Sequence, residues 1–125
     1  MRNTAPVFLE RRAEPRTPVN EPARVYFGPK LGLWADCMLK DVSHSGAKIH
    51  VPSIYSLPPR FVLVRLQDGI AFDALLKWRR GDLAGMVFEQ RHVLQASTEP
   101  RLAPIRETWI GLQAGFSARG PGMIG

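Results

Sequence analysis

From Ala23 to Glu89 apolar and polar residues alternate with a period of two, the spacing of strands with one face inside and one outside. Ala23, Val25 and Phe27 share one side against Arg24 and Tyr26, and Gly28-Pro29 ends the run. Leu33, Ala35, Cys37 and Leu39 then alternate with Trp34, Asp36, Met38 and Lys40. After a polar bend at residues 41–46, Ala47, Ile49 and Val51 alternate with Lys48 and His50. A fourth run occupies 60–67, behind Leu57-Pro58-Pro59, and Asp68-Gly69 is the strongest hairpin signal in the chain. Ile70, Phe72, Ala74, Leu76 and Trp78 are expected on one face of a fifth strand, opposite Asp73, Lys77 and Arg79. Gly81-Asp82 turns the chain into a sixth strand over 83–89. Such a series of short, closely spaced strands predicts an all-β fold, a six-stranded antiparallel barrel or sandwich over residues 23–90.

The flanks read differently. Residues 1–8 are expected to be a flexible terminus, and 9–22 a mobile arm, because Pro15, Pro18 and Pro22 deny it a helix or a central strand. Residues 98–125 form a tail. Within it Ile105, Trp109, Leu112 and Phe116 make an i, i+4, i+7, i+11 stripe over 105–116, with Pro104 suited to a helix start. Gly111 and Gly115 weaken that short helix by about 1 kcal/mol each against Ala. If it forms, the stripe is expected to dock on the barrel or on a second copy of the chain. The glycine-rich end, from Ala118, is expected to be disordered.

Composition adds a charge argument. The net charge is +6, and arginine supplies most of the basic residues. A basic excess favours anionic partners. Arginine's planar fork matches phosphate and the O6/N7 edge of guanine. No apolar run approaches the roughly 18 residues of a membrane span, and no apolar segment follows Arg2 as in a signal peptide. With Cys37 as the single thiol there is no internal disulfide, and a cytoplasmic location is the simplest expectation. His44, His50 and His92 lack companions at metal-ligand spacing, so no metal and no bound cofactor are expected. No nucleophile elbow, zinc-protease motif or phosphate-binding loop is present, which argues for a binding protein and against an enzyme.

Two short motifs carry the candidate chemistry. Arg12 and Arg16 make an RxxxR preceded by Arg11, and Asp41-Val42-Ser43-His44-Ser45-Gly46 reads DxSxxG. An RxxxR arises about once by chance in so arginine-rich a chain, so the weight falls on its pairing with the rarer second motif. In this order, with strands between them, the motifs resemble the two halves of the ligand site of the PilZ domain family, over residues 9–97. The resemblance implies a PilZ-like six-stranded β-barrel and a receptor for cyclic diguanylate (cyclic di-GMP). It further implies a switch in which the ligand orders the arm and an unidentified downstream protein reads the change. The chemistry suits such a ligand. Arg12 and Arg16, four apart on an extended arm, point to the same side and present cationic forks to phosphate or guanine. The Asp41 carboxylate accepts paired N–H donors, and the Ser43 hydroxyl donates or accepts. Gly46 is the position expected to need a positive φ or a close backbone approach to the ligand. Arg11, pointing the opposite way from Arg12, is expected to reach a second stacked nucleotide.

Other readings stay open at this point. Asp41 and Ser43 also suit a plain Asx or Ser/Thr turn. Trp34 and Trp78 read as core or strand-face residues rather than stacking platforms, and Arg24→Ala, on a strand outside both motifs, is expected to be a near-neutral control for ligand binding. A barrel binding single-stranded nucleic acid, or an adaptor that keeps the fold without the nucleotide, are the alternatives. The sequence leaves the oligomeric state open.

Overall fold

The computed structural model of the chain describes the backbone of residues 16–119 and the side chains of 16–113. Six strands succeed one another as β1 (Thr17–Phe27), β2 (Leu33–Val42), β3 (Gly46–His50), β4 (Arg60–Arg65), β5 (Ile70–Arg80) and β6 (Leu83–Val93). Helix α1 (Ala103–Arg119) comes after them. The strands form a closed barrel in the order β1-β2-β3-β6-β5-β4, every neighbouring pair antiparallel. Pairing of β1 with β4, from Ala23↔Arg65 to Tyr26↔Val62, closes the ring. Inward residues of the alternating runs fill the interior, among them Val25, Leu39, Ile49, Leu63, Phe72 and Met86. The Asp68-Gly69 hairpin forms as expected, with Gly69 at φ +70°.

The first strand begins at Thr17, inside the stretch whose prolines argued against one. Before Ala23 the segment pairs with β2 alone, and the register slips between Pro18 and Glu21. The carbonyl of Pro22 accepts from the Leu66 N–H at 3.3 Å, on the side away from β2. The missing N–H of Pro22 therefore faces that side too, and costs the β1–β2 ladder nothing. A second departure concerns Trp78. The register slips between Leu76 and Trp78, where Lys77 is left out of the pairing with Met86 and Gly85 of β6. This bulge inserts a residue into β5 and turns the rest of the strand to the other face. Trp78 thus stands outside the barrel, 38% exposed, and not on the inner face with Phe72 and Ala74.

Helix α1 covers one outer wall. Leu102, Ile105 and Trp109 form a second apolar cluster with Tyr26 of β1, Val62 and Val64 of β4, and Ala71 of β5. The expected docking is therefore onto the barrel, while the side chain of Phe116 lies outside the described residues. The Trp109 indole N–H donates to the Leu66 carbonyl at 2.8 Å. Its ring lies on Gly69, where a Cβ would sit 2.6 Å from the ring. Burying Ile105 and Trp109 contributes about 1.5–3 kcal/mol each. Just before the helix, Arg101 bonds to Asp73 of β5 at 2.9 Å. His92 of β6 approaches the same carboxylate oxygen at 2.9 Å. Burial pushes the Asp73 carboxyl up, but the bonds from Arg101 and His92 outweigh it and hold the group below the usual carboxylate range.

Candidate functional site

Strand register lines up four residues across the wall opposite the helix. Asp41 on β2 pairs with Lys48 on β3, Lys48 pairs with Gly85 on β6, and Gly85 pairs with Trp78 on β5. Their neighbours Ala47, Ile49 and Ala84 point inward and are buried. The row therefore faces outward. Gly85 explains how a large ring fits there: any side chain at this position would land on the Trp78 indole. The ring instead lies across the bare backbone, with the Arg80 guanidinium 5.4 Å from its centre.

The start of β1 brings a cation to the other end of the row. Arg16 Nη1 donates to Asp41 Oδ1 at 2.9 Å, and Lys48 Nζ stands 3.6 Å from Asp41 Oδ2. Asp41 is 17% exposed and Arg16 54%, so the carboxylate is fixed in the wall while the guanidinium remains accessible. Arg16, Asp41, Lys48, Lys77, Trp78 and Gly85 line a groove of about 240 Å³. Three cations against one carboxylate make it attractive to anions. An aromatic ring and a carboxylate acceptor within the same groove suit a planar base that carries N–H donors.

The six expected site residues fall into three groups. Arg16 and Asp41 meet directly. Arg11 and Arg12 lie outside the described residues. Ser43 and Gly46 belong to the bend but do not line the groove. The Ser43 N–H donates to the Gly46 carbonyl at 2.8 Å, and the Gly46 N–H donates to Ser43 Oγ at 3.2 Å, a Ser/Thr turn. Gly46 is not among the described glycines of positive φ. What requires a glycine is the backbone of β6, since a Cβ on Gly46 would collide with the Met86 carbonyl. The close approach seen at Gly46 is between strands.

Sequence reasoning passed over Lys48 and Gly85 and set Trp78 aside. A glycine inside an apolar strand marks a close approach by another group, and that was the available signal for the Trp78–Gly85 pair. Arg24 also differs from expectation. It is only 9% exposed, bonds to Asp36 at 2.8 Å and lies 3.9 Å from the centre of the half-exposed Trp34 ring. Burial works against its charge, yet hydrogen bonds with Tyr26 and Asp36 more than offset this and raise its pKa. Substitution there removes these contacts, which makes Arg24 a poor choice of control position.

A closed antiparallel barrel with an anion-attracting groove on its outer wall defines a small β-barrel binding domain. The chain belongs to the PilZ domain family, whose model matches residues 10–99 of its 125. PilZ domains are receptor modules that bind cyclic diguanylate; the family is one of binding and not of catalysis. A search among curated proteins gives no match. Among the described residues no helix is long and apolar enough to cross a membrane, and no group of His, Cys, Asp and Glu could hold a metal ion.

Proposed function

We propose that this protein is a cyclic diguanylate receptor that binds the nucleotide in the Arg16–Asp41 groove and relays its presence to a partner protein. The observation that carries the reading is the 2.9 Å contact between Arg16 and Asp41, which joins two motifs 25 residues apart. Asp41 accepts N–H donors of a guanine, Arg16 binds a phosphate or the guanine O6/N7 edge, and Trp78 offers its face to a base. Arg12 and Arg11 extend the cationic side from the arm, residues 9–22 of a binding unit spanning 9–97. Ser43 and Gly46 act by shaping the turn that holds Asp41. Arg16 exchanges a protein carboxylate for the ligand on binding, so the arm has two states that the nucleotide biases, and a partner reads the difference.

Calorimetric titration of the full chain with cyclic diguanylate, and separately with an unrelated single-stranded oligonucleotide, tests the reading. Micromolar or tighter binding of the dinucleotide alone, lost in Arg16→Ala, supports it. Binding of the oligonucleotide alone would identify a nucleic-acid barrel. Binding of neither would identify an adaptor without a nucleotide.

A further inference from the structure

At one end of the barrel, apart from the outer groove, two adjoining cavities of about 360 and 160 Å³ share His44, Phe72 and Arg91. Thr17, Ser43 and Arg65 complete the rim of the larger one. Phe72 lines both cavities and Phe88 the smaller; their rings stack at 4.0 Å with 14° between planes. The mouth therefore has a flat aromatic wall and a polar rim.

The charges around it are unevenly matched. Asp68 is engaged by Arg65 in a two-pronged pair, and Glu89 by Arg60 in the same way. Asp73 is held by His92 and Arg101. Arg91 has no such partner: among the described residues it makes no hydrogen bond or ion pair, and its guanidinium lies 5.7 Å from the Phe72 ring centre. His44 is likewise exposed and makes no hydrogen bond or ion pair among the described residues. The rim thus holds an uncompensated guanidinium beside an imidazole, at the edge of stacked rings.

We propose that this mouth is a second binding site, for a small planar anion that carries one aromatic ring system and one carboxylate or phosphate. The ring packs at the edge of the stacked phenylalanines, and the anionic group pairs with Arg91 and His44. The mouth opens at the barrel end, whereas the groove residues face the outer wall. The two sites adjoin at the β2–β3 bend, where Asp41 serves one and Ser43 and His44 border the other, and at the start of β1, where Arg16 serves one and Thr17 the other.

The test is an NMR titration of the full chain with benzoate and, separately, with guanosine 5′-monophosphate, at constant ionic strength. Saturable shifts at the amides of His44, Phe72, Phe88 and Arg91 are expected with at least one probe, at millimolar or lower dissociation constant. Arg91→Gln, at an exposed position, is expected to weaken this binding at least tenfold, whereas Lys48→Gln in the groove leaves it unchanged. Response to benzoate alone assigns the site to aromatic carboxylates, and response to the nucleotide alone to phosphorylated bases. Shifts confined to the groove, shifts that do not saturate, or equal affinity in Arg91→Gln overturn the proposal. Cyclic diguanylate titrated into the same Arg91→Gln sample keeps the two sites distinguishable, since its binding rests on Arg16 and Asp41.

Discussion

Asp41→Ala separates the stability of the wall from the affinity of the groove. In the free protein Asp41 is paired with Arg16 at 2.9 Å and Lys48 at 3.6 Å, partners whose side chains are 54% and 39% exposed. Ion pairs with such solvated partners are worth about 0–1 kcal/mol. Removing the carboxylate is therefore expected to lower the melting temperature by no more than about 4–8 °C, the shift that 1 kcal/mol produces in a domain near this size. Affinity is a different matter. A nucleotide in the groove excludes water from the same carboxylate and pairs it with fixed donors. Truncating one partner of such a buried charged bond costs about 2–5 kcal/mol, a loss of roughly 30-fold to several thousand-fold. Calorimetry with cyclic diguanylate and thermal melts of wild type and variant give both quantities, with Glu107→Gln on the exposed face of α1 as a control. Unchanged affinity would refute the assignment. A loss of affinity accompanied by an equally large loss of stability would show that Asp41 acts through the fold and not on the ligand.

Other outcomes rest on particular contacts. Titration at protein concentrations well above the dissociation constant is expected to give two nucleotides per chain, falling to one in Arg11→Leu; a wild-type ratio of one excludes a second, stacked nucleotide. Trp109→Ala is expected to cost about 3–5 kcal/mol in urea denaturation, because it empties the contact with Gly69 and orphans the Leu66 carbonyl. Asp73 has a lowered pKa, so its bond to Arg101 stabilises the fold above the usual carboxylate range and is lost as the carboxyl protonates below it. Hydrogen exchange around residues 99–105 is expected to rise on acidification below about pH 4, an acid step that Asp73→Asn abolishes. Cys37 is 7% exposed with its thiol pushed up to about 12, so it is expected to react with thiol reagents only at the rate of unfolding.

Much of the architecture was legible because the period of two survives in the core-facing residues, Val25, Leu39, Ile49 and Phe72 among them. Two physical causes account for the features that the pattern hid. Bulges leave no mark on composition, so Trp78 looked like an inward residue until the slip beside it turned it outward. Neighbours in the ring are also invisible in a linear string: nothing near Asp41 announces that Lys48, Gly85 and Trp78 complete its row, since three separate registers must be known first. The reverse failure is instructive at β4. Phe61-Val62-Leu63-Val64 shows no alternation, and all four are buried because the barrel takes Phe61 and Leu63 while α1 takes Val62 and Val64. That unbroken run was the sequence's signal that something covers the outer wall, and the stripe of Ile105 and Trp109 was its counterpart. The candidate site was partly legible: the motif residues Arg16 and Asp41 meet, and Ser43 and Gly46 form the bend that follows Asp41.

Arg16 stands immediately before Thr17, the first residue of the strand whose other end zips the ring shut against β4. A ligand that holds this guanidinium holds the start of that strand. Occupancy and folding are then thermodynamically linked: a ligand at a hundred times its dissociation constant adds about 2.7 kcal/mol to the folded state. If cyclic diguanylate is that ligand, as proposed, the protein's lifetime becomes a function of messenger concentration. A cell poor in nucleotide would carry receptors that unfold and are degraded sooner, and a rise in the messenger would lengthen their survival as well as switch their state.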